Sequence, residues 1–547
     1  MAKNKNRTLH PDEPLLHADH PRPVTRRQFI QQGFLSGTGA VLTPTMLSLL
    51  AGTREAHGLS SDLDALKAVE ECDIALGSDK IPFICFDLAG GANFAGSNIL
   101  VGGPDGIEDS LTSEGYAKLG IPGDRLPDFA TDAFVNRELG IPFHSESSLL
   151  EGIKMRFKAS TVLSATNLDN VNGAIIPARS DNDTGNNPHN PMYGISMAGA
   201  RGELLNLIGS RNSTSGGNSM SPASMVRAHL TPTKIDRPSD TNGLVDTGEL
   251  VAKMGLKNAT RVMESIQRIS EAKMSKVTNN APVPKAQVDD AAIKKQVNCA
   301  YVKSADMVER FGTPGSLEST NADPDIDAIF PIGDANGDIT NDRELAKTAA
   351  VMKMVIEGYA AAGTITMGGY DYHTGNRTTG DARDVRAGQC IGACLAYAER
   401  RQKPLMLYVC SDGSLSSNGT PDDGAGGKLV WTGDNSSTAA SFFLVYHPGG
   451  RPKLISTGGF TEAQHQQLGY FRANASVETN ATPAANNVNL LVETVMLNYM
   501  ALHGEQSQFA QTLSDNGISQ GLGGMIDRMT AFEPIVSGTV SNPLTIT

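Results

Sequence analysis

The sequence predicts an α/β protein: a mostly parallel sheet sandwiched by helices, with a helical insertion. Three observations carry that expectation. Short apolar runs recur along the chain, and each stops at a glycine or polar turn, as buried strands do. Stretches of helical periodicity alternate with them, the order that lays helices on both faces of a parallel sheet. The composition, 39% hydrophobic and 19% charged over 547 residues, supplies a full core and is too apolar for a disordered chain. No run of 18 clean apolar residues occurs, so no integral membrane span is expected. The net charge of −13 argues against nucleic acid as a main partner.

The elements follow in order. Paired Arg26 and Arg27 in TRRQFI precede a mildly apolar stretch, residues 34–50, broken by Gly37, Gly39 and Pro44. That arrangement looks like a twin-arginine signal, so residues 1–57 are expected to be a signal peptide and polar leader. The protein would then be exported by that route, to the periplasm or to the cell surface or medium. Residues 1–57 hold seven Lys/Arg and four Asp/Glu, a net of +3, which leaves −16 for the remainder. Residues 58–547 are expected to form one large α/β domain, with 210–335 as a helical and loop insertion.

Within that domain, residues 62–76 read as a helix and 81–88 (IPFICFDL) as a buried strand running into Gly90-Gly91. Residues 140–183 alternate strand and helix signals. Residues 184–221 are rich in Gly, Asn and Ser and read as a long loop with a helix near 200–208. Helical periodicity marks 246–276 and 283–311. Leu345, Ala349, Met352 and Ile356 place one apolar face on a helix over 342–362, followed by a strand over 364–367. A helix over 382–401, strands over 404–410 and 441–446, and a helix over 487–502 complete the pattern. The six cysteines show no zinc or disulfide spacing and read as buried free thiols.

Three strand ends present polar side chains at glycine turns: Asp87 or Asn93 after the first, Asp371 and His373 after the second, Asp412 after the third. Asp434 lies in WTGDN, just before another strand. Loops at the carboxyl ends of parallel strands build sites, and carboxylates with an imidazole suit a divalent metal, with zinc, magnesium and calcium as the candidates. Asp371, His373, Asp412 and Asp434 are therefore the expected ligands. A further segment, DANGDITND at 334–342, carries oxygen ligands at the odd positions of a calcium loop. It lacks the glycine and glutamate such a loop needs, so it reads as a polar loop capping the next helix.

Arg343-Glu344-Leu345-Ala346, continued by Gly368-Gly369-Tyr370-Asp371-Tyr372-His373, resembles the central motif of an exported bacterial family, the domain of unknown function 1501, of which this chain would be a divergent member. Leu88-Ala89-Gly90-Gly91 and Ser411-Asp412-Gly413-Ser414 with Asn418-Gly419 resemble two more of its motifs, in order over residues 80–450. That family is similar to the alkaline phosphatase and sulfatase superfamily. The resemblance implies an alkaline-phosphatase-like sheet and a metal-dependent hydrolase of phosphate or sulfate esters. It also implies a nucleophile near Ser180, where relatives carry a Ser-His motif, and a second exported protein as a partner. Two positions depart: Asn93 stands where the family has Asp, and Asn435 where it has His. An amide is a poorer ligand than either, which favours the alternative of a non-catalytic envelope or surface protein that binds a partner on the same scaffold. No dinucleotide fingerprint or haem motif supports a redox enzyme.

Overall fold

The run FICFDL (Phe83–Leu88) has no polar face to turn to solvent, and all six residues are buried. It forms the central strand of a seven-stranded sheet in a computed structural model. That structure describes residues 59–68, 80–160, 167–180, 187–244, 250–276, 290–311, 317–319, 323–456, 458–537 and 545–546. The chain divides into two compact units after Gly58, and every described residue belongs to the second, Leu59–Thr547. Arg26, Arg27 and the expected signal lie outside the described residues, as does Cys72.

In chain order the sheet strands are β1 (Phe83–Leu88), β2 (Val171–Pro177), β3 (Leu205–Gly209), β4 (Thr233–Lys234), β5 (Ala360–Met367) and β6 (Leu405–Ser411). A separate hairpin follows, β7 (Leu415–Asp422) with β8 (Lys428–Asp434), and β9 (Ala440–Tyr446) returns to the sheet. The strand order is β2-β9-β6-β1-β5-β3-β4. β9 runs antiparallel to β2 and β6, and the other neighbours pair in parallel. The predicted α/β class and mostly parallel sheet are thus present.

Side chains of β1 alternate between two cores, because successive residues of a strand face opposite ways. Ile84, Phe86 and Leu88 join a core that takes in helices α1 (Ser148–Ser160), α4 (Arg343–Ile356) and α5 (Arg377–Arg400). Phe83 and Cys85 join a second core with α6 (Val488–Leu502). In chain order between α1 and α4, α2 (Leu256–Met274) and α3 (Asp290–Phe311) form the expected helical region. The α1–α5 crossing is close because it is built on glycine: a Cβ on Gly388 would stand 2.1 Å from the Leu149 carbonyl oxygen.

Three expectations are corrected. Residues 205–209 form β3, not a helix; LNLIG pairs in parallel with β5, a partner over 150 residues away that no local pattern reveals. The helix begun at Arg343 stops at Ile356 rather than continuing to 362. Gly358 turns the chain at φ +86°, and Ala360–Met367 pairs with β1 and β3. Cys299 is disulfide-bonded, whereas Cys85, Cys390, Cys394 and Cys410 are buried free thiols. Among the described residues no helix is long and apolar enough to cross a membrane.

The calcium-like loop is organised around an internal cation. Arg156 of α1, only 1% exposed, donates to the Asp334 carboxylate at 2.7 Å and to the carbonyls of Ile329, Asn336 and Gly337. Asp342 caps α4 by accepting from the Glu344 and Leu345 amides. Replacing Arg156 with methionine keeps the stem and removes the donors, leaving buried acceptors unpaired. The expected cost is about 2–3 kcal/mol, read by urea unfolding. A stability equal to the parent's would contradict the loop's dependence on the guanidinium.

Candidate metal centre

Parallel strands β1, β5 and β6 end at one edge of the sheet, and their following loops are stitched together. The Tyr370 amide donates to the Ala89 carbonyl at 3.1 Å, and the Gly90 amide donates to the Asp412 carboxylate at 2.7 Å. Because β9 runs the other way, the chain entering it arrives at this same edge, and the Asn435 amide donates to the Ser414 carbonyl at 2.8 Å. The Gly375 amide donates to the Trp431 carbonyl at 2.8 Å, tying the β5 loop to the hairpin. Gly90 is required here twice over. Its φ is +127°, and a Cβ would stand 2.5 Å from the Asp371 nitrogen. Gly90→Ala should therefore lower stability by more than about 1 kcal/mol and push the Asp371 loop outward; an unfolding midpoint matching the parent's would refute this.

The loop after β5 alternates. Tyr370 and Tyr372 are buried, while Asp371 is exposed and His373 half-buried. That alternation aims Asp371 and His373 to the same side, and His373 Nε2 lies 2.7 Å from Asp371 Oδ1. Asp434, at the end of β8, brings Oδ2 to 3.7 Å from the same nitrogen. The three ligand atoms lie within 4.8 Å of one another. Two ligands of one ion with bonds of about 2.0–2.6 Å can be separated by up to twice that length, so the spacing fits a single cation. The donor set of two carboxylates and an imidazole is also one that such ions take.

The other candidates are engaged elsewhere. Asp412 is buried; besides the Gly90 amide, its carboxylate accepts from Asn218 Nδ2 at 3.1 Å. It is not one of the three residues that converge. Ser180 is buried, and its hydroxyl donates to the Asp412 carbonyl while accepting from Asn187 Nδ2 at 3.0 Å. It braces the Asp412 backbone. Asn435 caps a short turn through the Ser437 amide at 3.0 Å. Asn93 is buried, with Nδ2 on Ser97 Oγ. Asp87 holds the loop after β3, accepting from the Asn218 and Ser219 amides and from Ser219 Oγ; burial pushes its carboxyl up despite those bonds. Separate from these candidates, the loop histidine His189 is buried, which lowers its imidazole to about 4.

Sequence reasoning missed the loop at residues 210–219. It lies inside the stretch expected to be an insertion, yet it reaches Asp87 and Asp412 through Asn218 and Ser219. It also missed Arg383. This residue is exposed, and its guanidinium carbon lies 3.0 Å from the point where a Cβ on Gly369 would stand, two residues before Asp371. The run of glycine and polar residues gave no signal for the first, and the second is an ordinary arginine on a helix until the fold is seen. No family model, curated protein or solved structure matches the chain.

Proposed function

We propose that the protein is an exported, metal-dependent hydrolase of phosphate or sulfate esters on an alkaline-phosphatase-like scaffold, with Asp371, His373 and Asp434 as the ligands of one divalent ion. The observation that carries the reading is the meeting of those three side chains, from the loop after β5 and the end of β8, at the carboxyl edge of the sheet. All three are partly exposed, which leaves room for water or substrate on the ion. A bound divalent cation supplies a Lewis acid for a phosphoryl or sulfuryl oxygen and lowers the pKa of coordinated water. Arg383 supports an anionic substrate, because it sets a guanidinium beside the ligand loop, and among the described residues it makes no ion pair. The disulfide at Cys299 supports export, since such bonds persist in oxidising compartments.

The test uses protein folded and exported in its host. Bound zinc, magnesium or calcium should be stoichiometric, and aryl phosphate or aryl sulfate should be hydrolysed. Arg383→Ala should raise KM about tenfold with little change in kcat; an unchanged KM would remove the arginine from substrate binding. Metal-free protein without ester hydrolysis would defeat the whole reading. One observation favours a non-catalytic, partner-binding role: Asn93 and Asn435 are spent on structural hydrogen bonds and add no ligand. Stoichiometric metal with no hydrolysis of either ester class would select that role.

A further inference from the structure

The side chains between the ligands point the other way, into the protein. Tyr372, flanked by Asp371 and His373, donates its hydroxyl to Asp384 Oδ1 at 2.8 Å. Asp384 sits in the second turn of α5 and is buried, as is Tyr372. Its other oxygen accepts from Asn98 Nδ2 at 2.9 Å, and Asn98 in turn accepts from Ser147 Oγ at 2.8 Å. The Asn93 amide donates to the Tyr372 hydroxyl at 3.4 Å. On the helix side the Tyr372 ring lies over Gly380, where a Cβ would be 2.8 Å from two ring carbons. Tyr370 is anchored on the same helix, its hydroxyl donating to the Arg383 carbonyl at 2.9 Å. Tyr370 and Tyr372 both reach the interior, but only Tyr372 ends on a carboxylate, and a carboxylate buried without a cation partner is an expensive way to hold one hydroxyl. An expense of that kind at a site edge fits a positioning task.

We infer that Asp384 is a positioning residue: through the Tyr372 hydroxyl it fixes the loop that presents Asp371 and His373, and so sets the affinity of the centre for its ion. The second half of this inference rests on the metal-site reading above; the first half does not. Outer partners of metal ligands typically account for about 10–100-fold in affinity, so an effect of about tenfold is expected for each link.

The experiment uses the full chain and two readouts. Without metal, hydrogen exchange of the peptide spanning 368–376 should quicken at least tenfold in Tyr372→Phe and Asp384→Leu. Asp384→Asn, which keeps an oxygen for the tyrosine, should stay near the parent. With Mn²⁺ as the probe, calorimetric Kd should weaken about tenfold in the first two variants and recover in the third. Met500→Ala, which hollows the opposite core, controls for general loosening and should change neither readout. Unchanged exchange in both Tyr372→Phe and Asp384→Leu overturns the inference, as does an equal effect in Met500→Ala. Accelerated exchange in a protein whose parent binds no ion upholds the loop anchor and defeats the metal site alone.

Discussion

In Asp371→Ala and His373→Ala, the divalent cation proposed for this centre should be lost while the fold stands. Both side chains are partly exposed, so their removal opens no cavity and strands no buried partner. The metal-free unfolding free energy should move by less than about 1 kcal/mol. The loaded state is where the variants part from the parent. A ligand that binds only the folded chain stabilises it by about 2.7 kcal/mol at a concentration one hundred times its Kd. The parent's thermal midpoint should rise as zinc, magnesium or calcium is added, and neither variant's should. Asp434→Ala should behave in the same way, because its carboxylate closes the third side of the cluster. Elemental analysis of the purified proteins gives the independent check. A parent midpoint that ignores all three ions would remove the centre.

The second large effect is on stability against pH. Burial holds the Asp384 carboxyl at about 7, against an ordinary value of 3.8; Asn98, Tyr372 and nearby Arg377 pull it down, and Asp381 pushes it up. The folded state therefore keeps a proton that the unfolded chain has already released between about pH 4 and pH 7. Stability contributed by that proton is complete at the acid end and declines as pH rises through this window. At about 1.4 kcal/mol per unit of difference, the loss is on the order of 4 kcal/mol. Asp384→Asn carries no titrating group there. It should exceed the parent in stability at pH 8 and lose that advantage by pH 5, as measured by urea unfolding at fixed ionic strength. Other carboxylates titrate equally in both proteins and cancel in the difference. Parallel stability curves from pH 5 to pH 8 would exclude Asp384 as their source.

How far the fold was legible follows from where each signal lies. β1 and β6 are apolar runs with no polar face, and α4 repeats Leu345, Ala349, Met352 and Ile356 along one side. These patterns are local and read directly. β3 does not, because a five-residue run containing an asparagine becomes a strand only through its pairing with β5. The β7–β8 hairpin is hidden for a different reason. LSSNGTPD is largely solvent-facing, with Gly419 and Pro421 inside it, so nothing marks it as sheet. At the site, Asp371, His373 and Asp434 are visible as polar residues beside strand ends. The engagement of Asp412 with Gly90 and Asn218 is invisible, since those contacts join residues nearly two hundred or more positions apart. The Tyr372–Asp384 bond spans only twelve positions, but it needs the loop to turn back onto α5, which no periodicity encodes.

The hairpin that ends at Asp434 pairs only with itself and not with the seven-stranded sheet. A protease nick at its exposed tip, near Gly426, would leave every ladder of the main sheet intact while untethering one side of the cluster. The ion capture proposed for this cluster would thus be separable from the ability to stay folded, and a single cut would disarm such a centre without destroying the chain.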